Sequence, residues 1–417
     1  MADGIRALKG ELLWAPEPLE LSMNFCGFDC TYCYANARKP DRRVDLPQIM
    51  GLLANFRNRD TREARLMQLG YPMIASNHVD VFAGTNARQF EPIWEVCVFQ
   101  GVPIVWQTRG AHKPQRPILD RIIKETPRSI WYVSIPMWDD EIRKRIEPKA
   151  PPIPYRLELI QQLVEAGHSV VVGINPVCVD WLPDYEPLID RVKELGAFGV
   201  WFSALYFGRT FGESLTADKV QRITPELIDR SGCNGSKIDH AHILAAVEYA
   251  DAAGLSTYYA KSDRPSTMFN YWEEVYGKTM PMIQQLINQA HAWHAEEGDD
   301  YTPITRDEAV ASMSVLPSGF NYGPFFHSDV KEFRKMMGLP QGAKLPHVNA
   351  EEFWSALWNS DYFSAKMGPL SCKVFAYASV KTGETITPTY DDTGHKVLVY
   401  NPKGFRYSYA HTPDLAE

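Results

Sequence analysis

An α/β fold is predicted: a partial (β/α)6 TIM-like barrel, open on one side, followed by a C-terminal α+β extension. Two observations carry this. Short apolar, β-rich runs alternate with longer helical patterns from about residue 19 onward, the signature of βαβ units and a parallel sheet. After Asp263 that alternation gives way to a stretch rich in Trp, Tyr, Phe, Gly and Pro.

The runs that read as strands are 19–23, 78–83, 103–107, 130–135, 170–174 and 199–203, which makes six strands by about residue 205. Between them, 47–57 carries Ile49, Leu52, Leu53 and Phe56 at near-helical spacing, and 155–165 places Leu157, Ile160 and Leu163 on one face. Right-handed crossovers put the loop after every strand on one rim, where chemistry belongs in such a fold. A helix over 241–253 and a candidate seventh strand over 255–260 follow. In the last third, 284–296 and 351–358 read as helices and 373–400 as a β region. The expected organisation is a lead-in over 1–18, a barrel over 19–262, and an extension over 263–417 that covers the open side or contacts substrate. No internal repeat or low-complexity tract interrupts this.

At 417 residues, with 45% hydrophobic and 12% aromatic content, the chain can bury one large core and a smaller appended one. A net charge of −8 gives no global basic field for nucleic acid, although a local basic groove remains compatible with it. No apolar run approaches the roughly 20 residues that cross a bilayer, and no basic-then-apolar leader precedes Cys26. The expectation is a cytoplasmic protein with reduced thiols and no membrane contact.

Cys26, Cys30 and Cys33 stand at C-x3-C-x2-C spacing directly after the first predicted strand. Three thiolates can hold three irons of a [4Fe-4S] cluster, leaving the fourth iron open to a small-molecule ligand, whereas an electron-transfer cluster normally takes four. Zinc is the competing reading, but a tetrahedral site wants a fourth Cys or His at loop spacing, and the nearest His is His78. A disulfide framework fits poorly with seven cysteines, of which Cys97, Cys178, Cys233 and Cys372 are scattered.

The three-cysteine run resembles the signature of the radical SAM enzymes. That resemblance implies S-adenosylmethionine (SAM) on the open iron, a one-electron reductant such as flavodoxin or ferredoxin, and a 5′-deoxyadenosyl radical that abstracts hydrogen. Further along, Ile130-Trp-Tyr-Val-Ser134-Ile, Asp139-Asp140-Glu141, Arg145-Ile-Glu147-Pro148-Lys-Ala-Pro, Arg156-Leu and Leu163-Val-Glu-Ala-Gly167 are similar to the spore photoproduct lyase branch, over roughly residues 19 to 205.

The resemblance assigns cofactor contacts. Tyr32 would pack near the adenine, its alternative being ordinary barrel packing. Ala83-Gly84-Thr85-Asn86, taken as the end of the second strand, would meet the methionyl amine, or make a plain turn. Arg109, where the branch carries a Lys, suits a planar carboxylate, and Arg156 is a second carboxylate candidate. Both arginines could equally be solvated surface charges. Ser134 and, less directly, Asn175 are placed for ribose or carboxylate contacts.

One departure stands out. The branch keeps a hydrogen-donating cysteine where Gly84 aligns, so repair by that route is not expected. Cys97 falls in a helical pattern and reads as a buried structural thiol, which leaves Cys233 as the candidate catalytic donor. After the barrel only Cys233 and Cys372 remain, too few for the second cluster of a peptide maturase.

The substrate implied is nucleobase-like, in its most concrete form a modified thymidine in DNA that is rearranged or isomerised, as in virus DNA hypermodification. Trp201, Phe202, Tyr206, Phe207, Tyr258 and Tyr259 supply aromatic faces near the rim, with core packing the alternative for Trp201 and Phe202. A small metabolite or peptide substrate is the second enzymatic reading, and a non-catalytic iron–sulfur or zinc binding module the reading from another class. His240, His242, His291 and His294 lack a completing carboxylate for a metal site and read as surface or substrate contacts. Lys261, Asp263 and Arg264 are candidate rim contacts, and the basic, aromatic stretch 401–407 is a possible backbone contact or an exposed tail.

Overall fold

The computed structural model describes residues 4–8, 11–23, 26–33, 45–76, 79–205, 217–223, 239–259, 264–277, 281–298, 301–313, 316–325, 339–340, 342–343, 346–359 and 368–412. Two compact units divide the chain. The first comprises Met1–Ala7, Leu19–Ser262 and Thr267–Thr279; the second comprises Leu8–Pro18, Asp263–Ser266 and Met280–Glu417.

An eight-stranded sheet builds the first unit: β1 (Ile5–Ala7), β2 (Leu19–Leu21), β3 (Met73–Ala75), β4 (Ile104–Thr108), β5 (Ile130–Ser134), β6 (Ser169–Val177), β7 (Gly199–Ala204) and β8 (Ser256–Tyr259), hydrogen-bonded in that order. β1 runs antiparallel on β2, and every later pair is parallel. β1 and β8 are its edges, so the barrel is open, with seven parallel strands. Residues 5–7 therefore belong to the sheet, not to a separate lead-in.

Helices fill the crossovers: α1 (Leu46–Asn55), α2 (Arg62–Gln68), α3 (Asn86–Gln100), α4 (Arg116–Glu125), α5 (Asp140–Ile146), α6 (Ile153–Glu165), α7 (Glu186–Glu194), α8 (Ala217–Arg222), α9 (His240–Ala252) and α10 (Asn270–Tyr276). Their starts follow local chemistry. The Asp45 side chain accepts from Gln48 N, Thr61 from Ala64 N and Asp139 from Glu141 N, satisfying donors that a first helical turn leaves open. α1 buries Ile49, Leu52 and Leu53, as its spacing predicts.

The second strand differs from expectation. The run 78–83 is not a strand; the parallel partner of β2 and β4 is Met73–Ala75. The reason is local. Ser76 ends the strand at a φ of 87° and accepts Val81 N through its hydroxyl, while the Asp80 side chain accepts Phe82 N. Side chains that bond neighbouring N–H groups divert an apolar run into a turn.

Register separates the two faces of the sheet. Trp106 pairs with Trp131 and Trp131 with Val170 on an apolar face, where the two indoles stack at 4.6 Å and 11°. Phe90 of α3 meets Trp106 edge-on, and such pairs add about 0.5–1.5 kcal/mol each beyond area burial. On the other face, Ser134 pairs with Gly173, Gly173 with Trp201 and Trp201 with Tyr258, forming one row across four strands. α10 belongs to this unit: its Tyr276 hydroxyl donates to Ile104 O at 2.9 Å and accepts from Ile130 N at 2.7 Å.

The second unit carries a helical turn at Glu11–Trp14, the helices α11 (Met282–Glu297), α12 (Arg306–Ser312) and α13 (Ala350–Asn359), and a five-stranded sheet of β9 (Thr302–Ile304), β10 (Phe375–Thr382), β11 (Thr385–Pro388), β12 (Leu398–Tyr400) and β13 (Tyr409–His411). Thr305 and Glu308 form a reciprocal capping box at α12. The stretch 401–407 is a loop rather than a tail: Asn401 holds Gly404 N with its carbonyl and Lys403 N with its side chain, leading into β13.

Candidate active site

The three cysteines lie in a loop just beyond β2, at the strand ends where the fold predicts chemistry. Two tethers hold this loop. Thr31 donates to Ile146 O through its N–H at 2.9 Å and its hydroxyl at 3.0 Å, and Lys149 N donates to Phe28 O at 3.3 Å. The segment after α5 thus fixes the cysteine loop, and its Ala150 packs with Phe28, Cys30 and Ala83 in a small core that Cys26, Tyr32 and Cys33 also touch. Asp29 takes a left-handed φ of 52° and faces Lys149, Lys219 and Arg222 at 3.6 to 3.8 Å.

A buried charge network adjoins the loop. Glu147 and Arg156 are both wholly buried and meet at 2.5 Å. The other carboxylate oxygen of Glu147 accepts Arg109 Nε at 2.8 Å and the Tyr32 hydroxyl, and lies 3.9 Å from Cys30 Sγ. Burial alone would raise the Glu147 carboxyl, but Arg156 and then Arg109 outweigh it and hold it below its usual range. The Cys30 thiol is pushed up by burial, and the Cys26 thiol by burial and then by Asp80. Asp80 accepts the Thr108 hydroxyl at 3.0 Å and Arg109 N at 2.8 Å. Burial pushes its carboxyl up to about 6 in spite of these donors.

Against this geometry the predicted contacts separate. Arg109 remains a candidate for a carboxylate. It donates to Glu147 and, at 2.6 Å, to the Tyr32 oxygen, its side chain is 19% exposed, and its Nη1 has no partner among the described residues. Arg156 does not fit the role expected of it. Nε goes to Pro151 O, Nη1 to Ser134 O and Nη2 to Glu147, so a wholly buried fork is spent on the protein. Tyr32 is half-buried, its ring 5.5 Å from that of Trp181 and its hydroxyl in the network.

Gly84 and Thr85 are exposed at the entry to α3, Gly84 at a φ of 60°, nine residues past the end of β3 rather than at a strand end. Asn86 is buried and gives its amide to Asp80 O at 3.0 Å. Ser134 is buried on the row with Gly173, while Asn175 is half-buried where β6 shifts register. Phe202 and Tyr259 are buried, and Trp201 and Tyr258 half-buried, with ring centroids 4.2 Å apart. Cys97 is buried inside α3, where burial raises its thiol to about 12. Cys233, Tyr206, Phe207, His78, Lys261 and Asp263 lie outside the described residues, and Arg264 is exposed. His240 meets the Tyr259 hydroxyl, His242 Leu182 O, His291 the Tyr400 hydroxyl and His294 Thr302.

Sequence reasoning assigned no role to Glu147, Asp80 or Trp181. Glu147 lies inside the Glu-Pro-Lys-Ala-Pro stretch, where nothing local marks its role. Asp80 was concealed in the apolar run 78–83.

The donor set fits a cluster. Cys26, Cys30 and Cys33 are free thiols sharing one loop, two of them half-buried. Among the described residues no three His, Cys, Asp or Glu side chains converge to hold a single ion. No described helix is long and apolar enough to cross a membrane.

No curated protein matches the chain. Among solved structures, spore photoproduct lyase complexed with dinucleoside spore photoproduct aligns at 14% identity over 61% of this chain and 80% of that one, with a TM-score of 0.43. SuiB of Streptococcus suis bound to precursor peptide SuiA aligns at 12% identity over 61% of this chain and 49% of that one, with a TM-score of 0.37. Residues 21–191 match the model of the Radical SAM superfamily. Those residues form a radical SAM domain, an enzyme domain whose cofactors are a [4Fe-4S] cluster and S-adenosylmethionine.

Proposed function

We propose that the chain uses SAM-derived radical chemistry on a nucleobase-like substrate, in its most concrete form a modified thymidine in DNA that is rearranged or isomerised. The observation that carries this reading is the row Ser134, Gly173, Trp201 and Tyr258. It offers a hydroxyl, then a position without a side chain, then two half-buried aromatic rings. A flat heterocycle laid over the glycine would stack on the rings, each stacked base being worth about 1–3 kcal/mol.

A [4Fe-4S] cluster and SAM bound here would supply one-electron reductive chemistry that ends in hydrogen abstraction from a substrate carbon. The chain's own residues hold and orient. Cys26, Cys30 and Cys33 would hold three irons, and Arg109 would offer its Nη1 to the SAM carboxylate. The likeness of residues 130–167 to the spore photoproduct lyase branch supports a nucleobase, and Gly84 in place of a thiol supports an outcome other than repair. A flavodoxin- or ferredoxin-type protein is assigned as the reductant.

Anaerobically reduced protein is to be incubated with SAM and DNA carrying amino-acid-decorated thymidine, and the digest read for 5′-deoxyadenosine and a new nucleoside. Both should appear, and Trp201→Ala should weaken substrate binding about tenfold or more while leaving SAM binding unchanged. Absence of a new nucleoside, with deoxyadenosine formed instead on a peptide or small metabolite, would overturn the substrate assignment.

A further inference from the structure

We propose that Glu147 is a positioning residue that keeps the cluster at a low reduction potential, by offsetting the charge of Arg109, which acts on Cys30, and of Arg156, which is bound to the other oxygen of Glu147. The inference rests on the cluster and on no particular substrate.

Arg156 is wholly buried and Arg109 four-fifths buried, and both donate to Glu147. Guanidinium charge here, Arg109 acting on Cys30 and Arg156 one carboxylate further off, stabilises the reduced cluster, which carries one more negative charge, and so raises its potential. Net local charge is one of the levers a protein has on an iron–sulfur centre. Reductive cleavage of a sulfonium needs the opposite, an electron held at low potential and passed on from a one-electron reductant. Glu147 is the anion placed to supply it. Its carboxylate bonds both guanidinium groups and comes within 3.9 Å of Cys30 Sγ, so that its charge opposes added electron density on that ligand. With water excluded around a wholly buried carboxylate, the interaction is weakly screened. Asp80, held by Thr108 and by the backbone of Arg109, is a second buried carboxyl group near this loop, and Asp29 within it pairs with Lys149, Lys219 and Arg222.

The same bonds fix geometry. Arg109 is anchored through Nε to Glu147, which leaves Nη1 free in one orientation, and the hydroxyl of Tyr32, the residue before Cys33, bridges Glu147 and Arg109. Glu147 thereby sets both the charge beside the loop and the direction of the one free donor pair.

The test uses the full chain reconstituted anaerobically with iron and sulfide. Iron per chain is measured first, then the cluster midpoint potential, by dithionite titration followed in the visible absorbance and by electron paramagnetic resonance. Wild type serves as control: if it loads no cluster, the cofactor reading fails rather than this one. Glu147→Gln keeps the shape and loses the charge, so its loaded cluster should titrate at a more positive potential, and Glu147→Asp should return most of the shift. Glu147→Gln/Arg156→Met restores the wild-type net charge and should titrate near wild type. The double variant also covers the case in which the single one fails to fold, since replacing both members of a buried pair is commonly tolerated. A loaded Glu147→Gln cluster at the wild-type potential, or a double variant displaced to positive potential, would overturn the proposal.

Discussion

Replacing Arg156 by Met removes the most heavily committed side chain of the site while nearly conserving its bulk. Three bonds go at once: to Glu147 at 2.5 Å, to Ser134 O at 2.9 Å and to Pro151 O at 2.9 Å. Breaking a fully buried ion pair costs about 3–5 kcal/mol because the partner keeps its charge. Each carbonyl also loses a charged donor, a bond of about 1.5–3 kcal/mol. These contributions overlap, and Glu147 keeps Arg109 and Tyr32, so the net loss expected is about 4–6 kcal/mol. Against a domain stability of about 5–15 kcal/mol this is severe. It corresponds to a fall in melting temperature of about 8–24 °C for a unit of this size. The assay is urea and thermal unfolding followed by tryptophan fluorescence before cluster reconstitution, with SAM binding measured on the reconstituted protein. A direct role in holding the SAM carboxylate predicts the reverse: unchanged melting and weakened SAM binding. Melting within about 2 °C of wild type would refute the structural account of Arg156.

Replacing Cys26, Cys30 or Cys33 singly by Ala should leave the protein colourless, or with little iron, after reconstitution and abolish deoxyadenosine formation, read by iron analysis and chromatography. Gly199→Ala should cost about 1–3 kcal/mol in unfolding free energy, since the added carbon would sit 2.6 Å from Ser256 O and 3.1 Å from Met268 Cε. His168 accepts Ser129 N on Nδ1 and therefore carries its proton on Nε2, toward Ile123 O, and burial holds its pKa below the usual value. A depressed histidine pKa adds stability above the unfolded value of about 6.5 that is lost as pH falls through the folded one. Denaturation midpoints between pH 7.5 and 5 should therefore fall more steeply for wild type than for His168→Gln.

The cysteine loop was legible in the sequence because its chemistry is local: three thiols within eight residues, directly after a β-rich run. The strands β4, β5 and β6 were legible for a similar reason, being buried on both faces and thus short apolar runs between helical patterns. The site's second layer was not. Glu147 meets Arg156 across 9 residues, but Arg109 across 38 and Tyr32 across 115, and no local pattern reports which distant carboxylate a buried arginine will find. Arg156 accordingly read as a ligand contact when its fork closes on the chain itself. β3 was displaced for a different reason: Val81, Phe82 and Ala83 are buried as a strand's residues would be, yet Ser76 and Asp80 hold the segment as a turn. Burial sets apolarity, and two short polar side chains set the backbone.

The clasp made by Tyr276 has a practical bearing on shortening the protein. An excised catalytic piece would naturally be cut after β8, near residue 262, where the last parallel strand has been completed. Such a cut discards the one hydroxyl that joins Ile104 O to Ile130 N, leaving the starts of two adjacent central strands to open to solvent. It also strips Trp272 from beside Tyr132. The smallest autonomous fragment should therefore keep the chain through Thr279, and any fusion partner or affinity tag belongs beyond that point.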